Sequence, residues 1–134
     1  MTSSSTLSDK SILYLEDEII VAIEIGEILG DLGFGEVLVA HNLRSAETLL
    51  AGRGVDFALL DVNLGNGERS NELGMRLAAS GTEVIFASGY NKGELAPEMQ
   101  VFSFLEKPVT AQDIRRAIFA KVEAAAEAAT AGKA

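Results

Sequence analysis

Residues 57–61 read FALLD, and this stretch decides the fold prediction because a continuous apolar run ends directly at an acid, Asp61. Strands of a parallel sheet are buried on both faces, so they read as continuous apolar runs and not as alternating patterns. Three other largely apolar runs have this form, each followed by polar side chains: residues 12–15 before Glu16 and Asp17, residues 84–87 before Ser88, and residues 102–106 before Lys107. The four runs predict parallel strands whose carboxyl ends each carry a polar group.

Segments with helical spacing separate these strands. Residues 19–32 have apolar side chains at helical intervals, and Gly33 then provides a stop signal. We predict one more strand and three more helices, the strand at residues 37–40 and the helices at residues 44–51, 72–79 and 111–128. The alternation of strand and helix predicts a doubly wound α/β sandwich with right-handed crossovers.

The segment at residues 89–100 departs from this alternation. Gly89, Gly93 and Pro97 follow one another closely where a fourth crossover helix is expected. In a helix interior each Gly costs about 1 kcal/mol and Pro about 3 kcal/mol. We therefore predict that the fourth helix is short or absent.

Length and composition predict a single domain. The chain has 134 residues, of which 48% are hydrophobic, and a chain of this size can bury one core. We predict a flexible tail rich in Ser and Thr at residues 1–10, a folded domain at residues 11–125 and a frayed tail at residues 126–134. The sequence has no cysteine, shows no secretory signal and has no apolar stretch near the ~18 residues of a membrane span. We expect a cytoplasmic protein with no membrane partner.

Acidic residues give the chain a formal net charge of -9, which argues against a nucleic-acid partner. Glu16, Asp17 and Asp61 follow two strands that would be neighbours in the sheet. Carboxylates clustered without a cation repel one another and raise one another's pKa, whereas Mg²⁺ binds through such oxygen ligands. We predict a Mg²⁺ site at these three acids, to which Asn63 can add its backbone carbonyl.

Phosphoryl transfer is the chemistry that these residue types suit. A carboxylate held beside Mg²⁺ can attack a phosphoryl group and become an acyl phosphate. The transition state spreads negative charge over the equatorial oxygens, so Lys107 would supply positive charge to one oxygen and Ser88 a hydroxyl donor to another. Taken singly, each of these residues is commonly a turn or helix-start residue. Their joint occurrence in this order, each at a strand end, favours a phosphorylation site.

The motifs resemble those of the receiver domain of two-component response regulators, in the order of the acid pair Glu16-Asp17, the phosphoacceptor Asp61, the hydroxyl of Ser88 and Lys107-Pro108. The resemblance covers about residues 11–120. It implies a CheY-like five-stranded parallel sheet in the order 2-1-3-4-5. It also implies Mg²⁺-dependent transfer of a phosphoryl group to Asp61 from a sensor histidine kinase or a histidine phosphotransfer protein.

The same resemblance implies a switch and a limited catalytic role. In the family, the hydroxyl residue moves toward the phosphoryl group and an aromatic residue on the fifth strand rotates inward. Here these residues are Ser88 and Phe104. The protein would catalyse only its own phosphorylation and dephosphorylation, so we expect no other enzyme activity.

Residues 86–90 read FASGY, which resembles the Phe-Ala-Thr-Gly-Tyr signature of receivers associated with HWE-type kinases and the bacterial general stress response. Tyr90 admits two interpretations, a half-buried loop aromatic or a gate that limits attack of water on the acyl phosphate. The loop after Asp61 lacks the Pro that is usual in the family, which predicts a longer and looser loop.

The sequence predicts a stand-alone response regulator that acts by docking to a downstream protein or by serving as a phosphate sink. Two alternatives remain. The first is a degenerate receiver that acts as an interaction module independent of phosphorylation. The second is a small Mg²⁺-dependent phosphohydrolase with an Asp nucleophile. That chemistry usually uses a second acid two residues after the nucleophile, where this chain has Asn63.

Overall fold

The computed structural model describes residues 5–89 and 97–132. Five helices and five strands are formed in this part of the chain, in the order α1 (Ser5–Ser8), β1 (Ser11–Leu15), α2 (Ile19–Asp31), β2 (Glu36–Ala40), α3 (Leu43–Leu50), β3 (Phe57–Asp61), α4 (Asn71–Ala79), β4 (Glu83–Ser88), β5 (Ser103–Glu106) and α5 (Ala111–Gly132). A single 3-10 turn at Pro97–Met99 precedes β5. The predicted elements are therefore present, with boundaries displaced by one to a few residues.

The five strands form one sheet in the order β2-β1-β3-β4-β5, and every neighbouring pair is parallel. The predicted CheY-like topology is confirmed. The register pairs Leu15 with Leu60 and Asp61 with Ala87. The residues that end β1, β3 and β4 consequently lie side by side at one edge of the sheet, which is where the sequence placed the polar residues.

Each face of the sheet packs against its own helices. On one face, Leu13, Leu60 and Phe86 pack with residues of α3 and α4. On the other face, Ile12, Leu59 and further buried side chains pack with residues of α1, α2 and α5. The strands are buried on both sides, as their continuous apolar sequences require. Packing on both faces therefore holds the strand ends in fixed positions.

The amino-terminal segment differs from the predicted flexible tail. Leu7 in α1 is fully buried in the second core, and its carbonyl oxygen accepts hydrogen bonds from the backbone N–H groups of Lys10 and Gly35, at 2.9 and 3.0 Å. An isolated Leu in a Ser-rich stretch has no periodicity that would reveal its burial. A Cβ at Gly35 would lie 2.1 Å from the carbonyl oxygen of Ser8, so the close approach of these two segments requires glycine.

The carboxyl-terminal helix is longer than predicted. It continues through Gly132, past the expected start of the frayed tail at residue 126, because the alanine-rich sequence has high helix propensity. None of the helices in the described ranges is long and apolar enough to span a membrane. Of the segment where a short or absent fourth helix was predicted, residues 89–100, the structure describes Gly89, the turn at Pro97–Met99 and Gln100. Residues 90–96, with the candidate gate Tyr90, lie outside the described residues.

Candidate functional site

Three carboxylates lie together at the carboxyl edge of the sheet. Each of Glu16, Asp17 and Asp61 offers one oxygen, and these three oxygens are within 4.8 Å of one another. Glu16 directly follows β1 and Asp61 ends the neighbouring strand β3, so the strand pairing itself sets their spacing. Glu16 and Asp61 are only 2% and 4% exposed. The predicted acid pocket is therefore formed by the described residues, and two of its three acids are buried.

Lys107 brings a positive charge to this cluster. Its Nζ donates a hydrogen bond of 2.8 Å to Oδ2 of Asp61 and lies 3.8 Å from Oε1 of Glu16. The lysine follows β5, and its backbone N–H donates to the carbonyl oxygen of Ser88 at 2.9 Å. One ammonium thus faces two buried carboxylates, which leaves the site with excess negative charge.

The buried charges shift the protonation of all three groups. Burial, followed by the negative charge of Asp61, raises the pKa of Glu16 to about 7, although Lys107 opposes the shift. Burial also raises the pKa of Asp61 above its usual value against the opposing effect of Lys107. Burial lowers the pKa of Lys107, but the hydrogen bond and charge of Asp61 outweigh burial, so its pKa is raised. Carboxylates that resist ionisation are the expected consequence of clustering acids away from water.

Tyr14 is a site residue that the sequence analysis did not find. Its hydroxyl donates to Oε1 of Glu16 at 3.3 Å, and burial and the charge of Glu16 raise the pKa of the phenol. The backbone N–H of Glu18 donates to the other carboxylate oxygen of Glu16 at 3.2 Å. The two-residue spacing of Tyr14 and Glu16 puts both side chains on one face of the strand, and that spacing is the signal from which the contact could have been found.

The loop that joins β3 to α4, which was predicted to be longer and looser than in the family, carries several hydrogen bonds in its described geometry, and its looseness stays a prediction. The backbone N–H of Val62 donates to Ala87 at 2.9 Å, and those of Leu64 and Ser70 donate within the loop at 3.0 and 3.1 Å. The hydroxyl of Ser70 donates to the backbone carbonyl of Asp61 at 2.8 Å. These bonds hold the backbone on the carboxyl side of Asp61 without the missing proline.

The structure also describes the other predicted site residues except Tyr90. Asn63 is exposed, two residues after Asp61, in the loop at residues 62–70. Ser88 ends β4 and is 2% exposed; strand alternation places it on the same face as Phe86. Phe104 is paired in register with Phe86, and their rings are stacked with centroids 5.5 Å apart. The candidate switch residues Ser88 and Phe104 therefore share one face of the sheet.

A divalent cation with hard oxygen ligands fits the carboxylate cluster. Mg²⁺ binds oxygens at about 2.1 Å, so two of its ligand oxygens are separated by about 3 to 4 Å. The three carboxylate oxygens lie within 4.8 Å of one another, which is close enough for one ion to contact them together. The donor set consists of three carboxylates, and hard oxygen ligands of this kind are the preference of Mg²⁺ and not of softer metals.

Comparison with known proteins agrees with this geometry. A family model described as "Response regulator receiver domain" matches residues 12–119. No curated protein sequence matches the chain significantly. Among solved structures, the chain is similar to a CheY-like response regulator receiver domain from Methylobacillus flagellatus, with 26% identity and a TM-score of 0.70 over 84% of this chain and 98% of that chain.

Two further solved structures have the same fold. The BeF3-activated conformation of SdrG from Pseudomonas melonis Fr1 is 29% identical with a TM-score of 0.71, and the match covers 87% of this chain and 97% of that chain. The receiver domain of the PhyR response regulator from Erythrobacter litoralis is 20% identical with a TM-score of 0.71, covering 82% of this chain and 87% of that chain. At 20% identity, the likeness to the PhyR receiver domain shows the fold alone.

Proposed function

The chain belongs to the response regulator receiver domains, and from this membership we propose that it is a response regulator in which Asp61 accepts a phosphoryl group from a phosphorylated histidine. A carboxylate oxygen of Asp61 attacks the phosphorus while the bond from phosphorus to the donor nitrogen breaks. The products are an acyl phosphate on Asp61 and a histidine that recovers its electron pair. This chemistry modifies the protein itself, so we propose no other catalysed reaction.

The observation that supports this function best is the contact of 2.8 Å between Lys107 and a nearly buried Asp61 inside a carboxylate cluster. Lys107 is placed to neutralise a phosphoryl oxygen on Asp61, and Ser88 at the adjacent strand end can donate its hydroxyl to another. Glu16, Asp17, Asp61 and the backbone carbonyl of Asn63 would hold Mg²⁺. When bound, this ion supplies positive charge that offsets the charge of the transferring group.

Intact mass measured after incubation with Mg²⁺ and a small acyl phosphate tests the proposal. We expect one phosphoryl adduct on the natural protein and none on Asp61→Asn. Asp56→Asn is the matched control. It makes the same chemical change just before the other end of the same strand, far from the cluster. An adduct that persists in Asp61→Asn would refute the assignment of the phosphoacceptor.

The two alternatives predict different results in the same samples. A degenerate receiver would take no phosphoryl group from any donor, including a phosphorylated kinase. A phosphohydrolase would release phosphate from small esters over many turnovers, which a receiver does not. The structure offers no second acid two residues after Asp61, since Asn63 occupies that position, and this favours the receiver.

For the protein partner, we propose that a histidine kinase or phosphotransfer protein docks on the start of α2. Three isoleucines there have unusual exposure for large apolar side chains, with Ile19 at 54%, Ile20 at 82% and Ile23 at 59%. They follow Asp17 within one or two turns, so a protein bound to them would lie beside the acceptor. The FASGY sequence at residues 86–90 supports a kinase of the HWE type and a role in stress signalling.

Two matched substitutions test this surface. Ile20→Ser should slow phosphotransfer from the cognate kinase, sought among those of the source genome, by about tenfold, the effect of a moderate interface residue. Its phosphorylation by a small acyl phosphate should be unchanged. Val101→Ser is the control because Val101 is also 82% exposed but lies before β5. Equal slowing by both variants would argue against docking at α2.

We propose that phosphorylation is transmitted through Ser88 and Phe104. Both lie on the face of the sheet that packs against α4, and the ring of Phe104 contacts Phe86. A Cβ at Gly74 in α4 would lie 2.2 Å from Cζ of Phe86, so this ring fills the space next to the helix. A movement of Phe104 would therefore reach α4 through Phe86. Phe104→Ala should leave phosphorylation of Asp61 intact and abolish the phosphorylation-dependent change in the amide signals of α4.

A further inference from the structure

A cavity of about 380 Å³ lies beside the phosphoacceptor, between α2 and the start of the β5–α5 connection. Its apolar lining consists mainly of buried side chains, Tyr14, Ile25, Leu59 and Ala87, with Val21 and Val109 at the sides. Its volume falls within the range of about 300 to 1,000 Å³ that is typical of pockets for small molecules. The cavity is thus large enough and apolar enough to hold the body of a small ligand.

Charge is distributed unevenly around this cavity. At its inner end, Lys107 is engaged by Asp61 and Glu16, at 2.8 and 3.8 Å. At its outer rim are Glu18 and Glu24, which are exposed and form no ion pair within the described part of the chain. Among the described residues that line the cavity, Lys107 alone is basic. The rim therefore carries two carboxylates without an ion-pair partner among the described residues.

We propose that this cavity binds a small amphipathic cation, with an apolar body against Ile25 and Leu59 and an amidinium, guanidinium or ammonium group at Glu18 and Glu24. Burial of the body gives affinity in proportion to the apolar area removed from water. Charge-assisted hydrogen bonds to the rim carboxylates are stronger than neutral ones. A neutral ligand would forgo those bonds, and an anion would be repelled by the four acids of the lining.

Occupation of the cavity has a consequence for the phosphoacceptor. Asp61 lines the same cavity, so a bound ligand narrows the approach to its carboxylate. A cation in the cavity would therefore slow phosphorylation without modifying the protein. Binding of a cation in the cavity does not depend on the proposed function. Only the predicted competition, in which the bound cation slows phosphorylation of Asp61, rests on that function.

Three aromatic probes of similar size separate the contributions of shape and charge. Amide signals of the Mg²⁺-loaded protein are followed by NMR during titration with benzamidine, benzyl alcohol or benzoate. We expect saturable shifts at Val21, Leu59 and Val109 with benzamidine, and binding of the alcohol and of benzoate weaker by at least about tenfold, or about 1.4 kcal/mol. Equal binding of benzamidine and benzyl alcohol, or no binding of benzamidine, would overturn the proposal.

Substitutions at the rim test which carboxylates bind the cation. The double variant Glu18→Gln with Glu24→Gln should weaken benzamidine binding by about tenfold. The backbone N–H of residue 18 still donates to Glu16 in this variant, because only the side chain is changed. Glu27→Gln is the matched control, since Glu27 is exposed on the same helix but lines a different depression. Unchanged affinity in the double variant, or an equal loss in the control, would refute the role of the rim.

The outcomes separate this inference from the proposed function. If the natural protein is phosphorylated on Asp61 but binds no benzamidine, only the inference fails; if it binds benzamidine but is never phosphorylated, only the proposed function fails. Saturating benzamidine should also slow phosphorylation by a small acyl phosphate, and an unchanged rate would disprove the competition.

Discussion

An aspartate lies at each end of β3, and the two are held in opposite ways. Asp56, just before the strand, is exposed, and its Oδ2 accepts hydrogen bonds from the backbone N–H and the hydroxyl of Ser11, at 2.9 and 3.4 Å. Asp61, the last residue of the strand, is 4% exposed beside two further acids and one lysine. Asp56 therefore links two segments by hydrogen bonds at the amino edge of the sheet, whereas Asp61 lies among other acids at the carboxyl edge.

The surroundings of the two aspartates follow the same division. At the amino edge, Arg53 pairs with Glu36 at 2.6 Å on the surface, and the hydroxyl of Thr82 donates to the carbonyl of Val55 at 2.9 Å. At the carboxyl edge, buried carboxylates outnumber the single ammonium. Partnered groups stabilise a fold, whereas clustered like charges oppose it. The amino edge is therefore built from partnered groups that stabilise the fold, whereas the carboxyl edge gathers like charges that oppose it.

The largest effect should follow from disrupting the amino edge. In Gly35→Ala the new Cβ would meet the carbonyl oxygen of Ser8 at 2.1 Å, and the backbone must shift to relieve the clash. We expect the free energy of unfolding in urea to fall by about 3 kcal/mol, while Asp61 remains phosphorylatable. Gly54→Ala is the control because a Cβ there meets no atom within 4 Å. A stable Gly35→Ala protein would mean that α1 is not fixed against this edge.

Replacing Asp56 and Asp61 in turn tests directly whether the two edges differ in their effect on stability. Without Mg²⁺ at neutral pH, Asp61→Asn should raise the free energy of unfolding by about 2 kcal/mol, because one buried charge leaves an over-acidic cluster and Glu16 still faces Lys107. Asp56→Asn should instead lower it slightly, because Ser11 loses a charged acceptor. Urea denaturation of the two variants measures both changes. The same sign for both would remove the distinction between the edges.

The pH dependence of stability gives a third, smaller effect. The pKa of Glu16 rises from 4.5 to about 7 on folding, so between these values the folded state retains a proton that the unfolded state has lost. Without Mg²⁺, stability should therefore fall as pH rises through this window. Denaturation midpoints at several pH values measure the slope, which should flatten in Glu16→Gln.

The control for this slope comes from the amino edge. The hydrogen bond from Arg53 lowers the pKa of Glu36, so the stability from this pair is complete above the unfolded pKa and is lost only as pH falls through the lower folded value. Glu36→Gln should therefore leave the slope between pH 4.5 and about 7 unchanged. A slope that survives in Glu16→Gln would assign it to another group.

The smallest effect is expected at the surface. Arg76 and Glu47 are paired at 2.6 Å, but both side chains are more than half exposed. Exposed pairs contribute about 0.5 kcal/mol or less, so Arg76→Gln should shift the urea midpoint only slightly, and less in high salt. A change as large as that of Asp61→Asn would show that the amino edge depends on its surface charges.

The sequence predicted the strands and the acid pocket for the same physical reason. Continuous burial gives an unmistakable apolar run, and parallel pairing brings the ends of such runs together, as at Glu16 and Asp61. Contacts between distant segments were not predictable in this way. The burial of Leu7 and the bond from Ser70 to the carbonyl of Asp61 depend on where the chain returns in space. The length of α5 was also underestimated, although its alanines have high helix propensity and continue the helix.

The backbone bond between Lys107 and Ser88, at 2.9 Å, implies that the two proposed ligands of the phosphoryl group cannot be repositioned independently. A change of twist or register at the end of β4 would carry the lysine with it. Transplanting the site into another sheet would therefore require the peptide pairing of these two strands as well as the side chains. The distance from the ammonium of Lys107 to Asp61 depends on the backbone pairing of β4 and β5. Substitutions in either strand that alter this pairing should change that distance, even when every reactive side chain is retained.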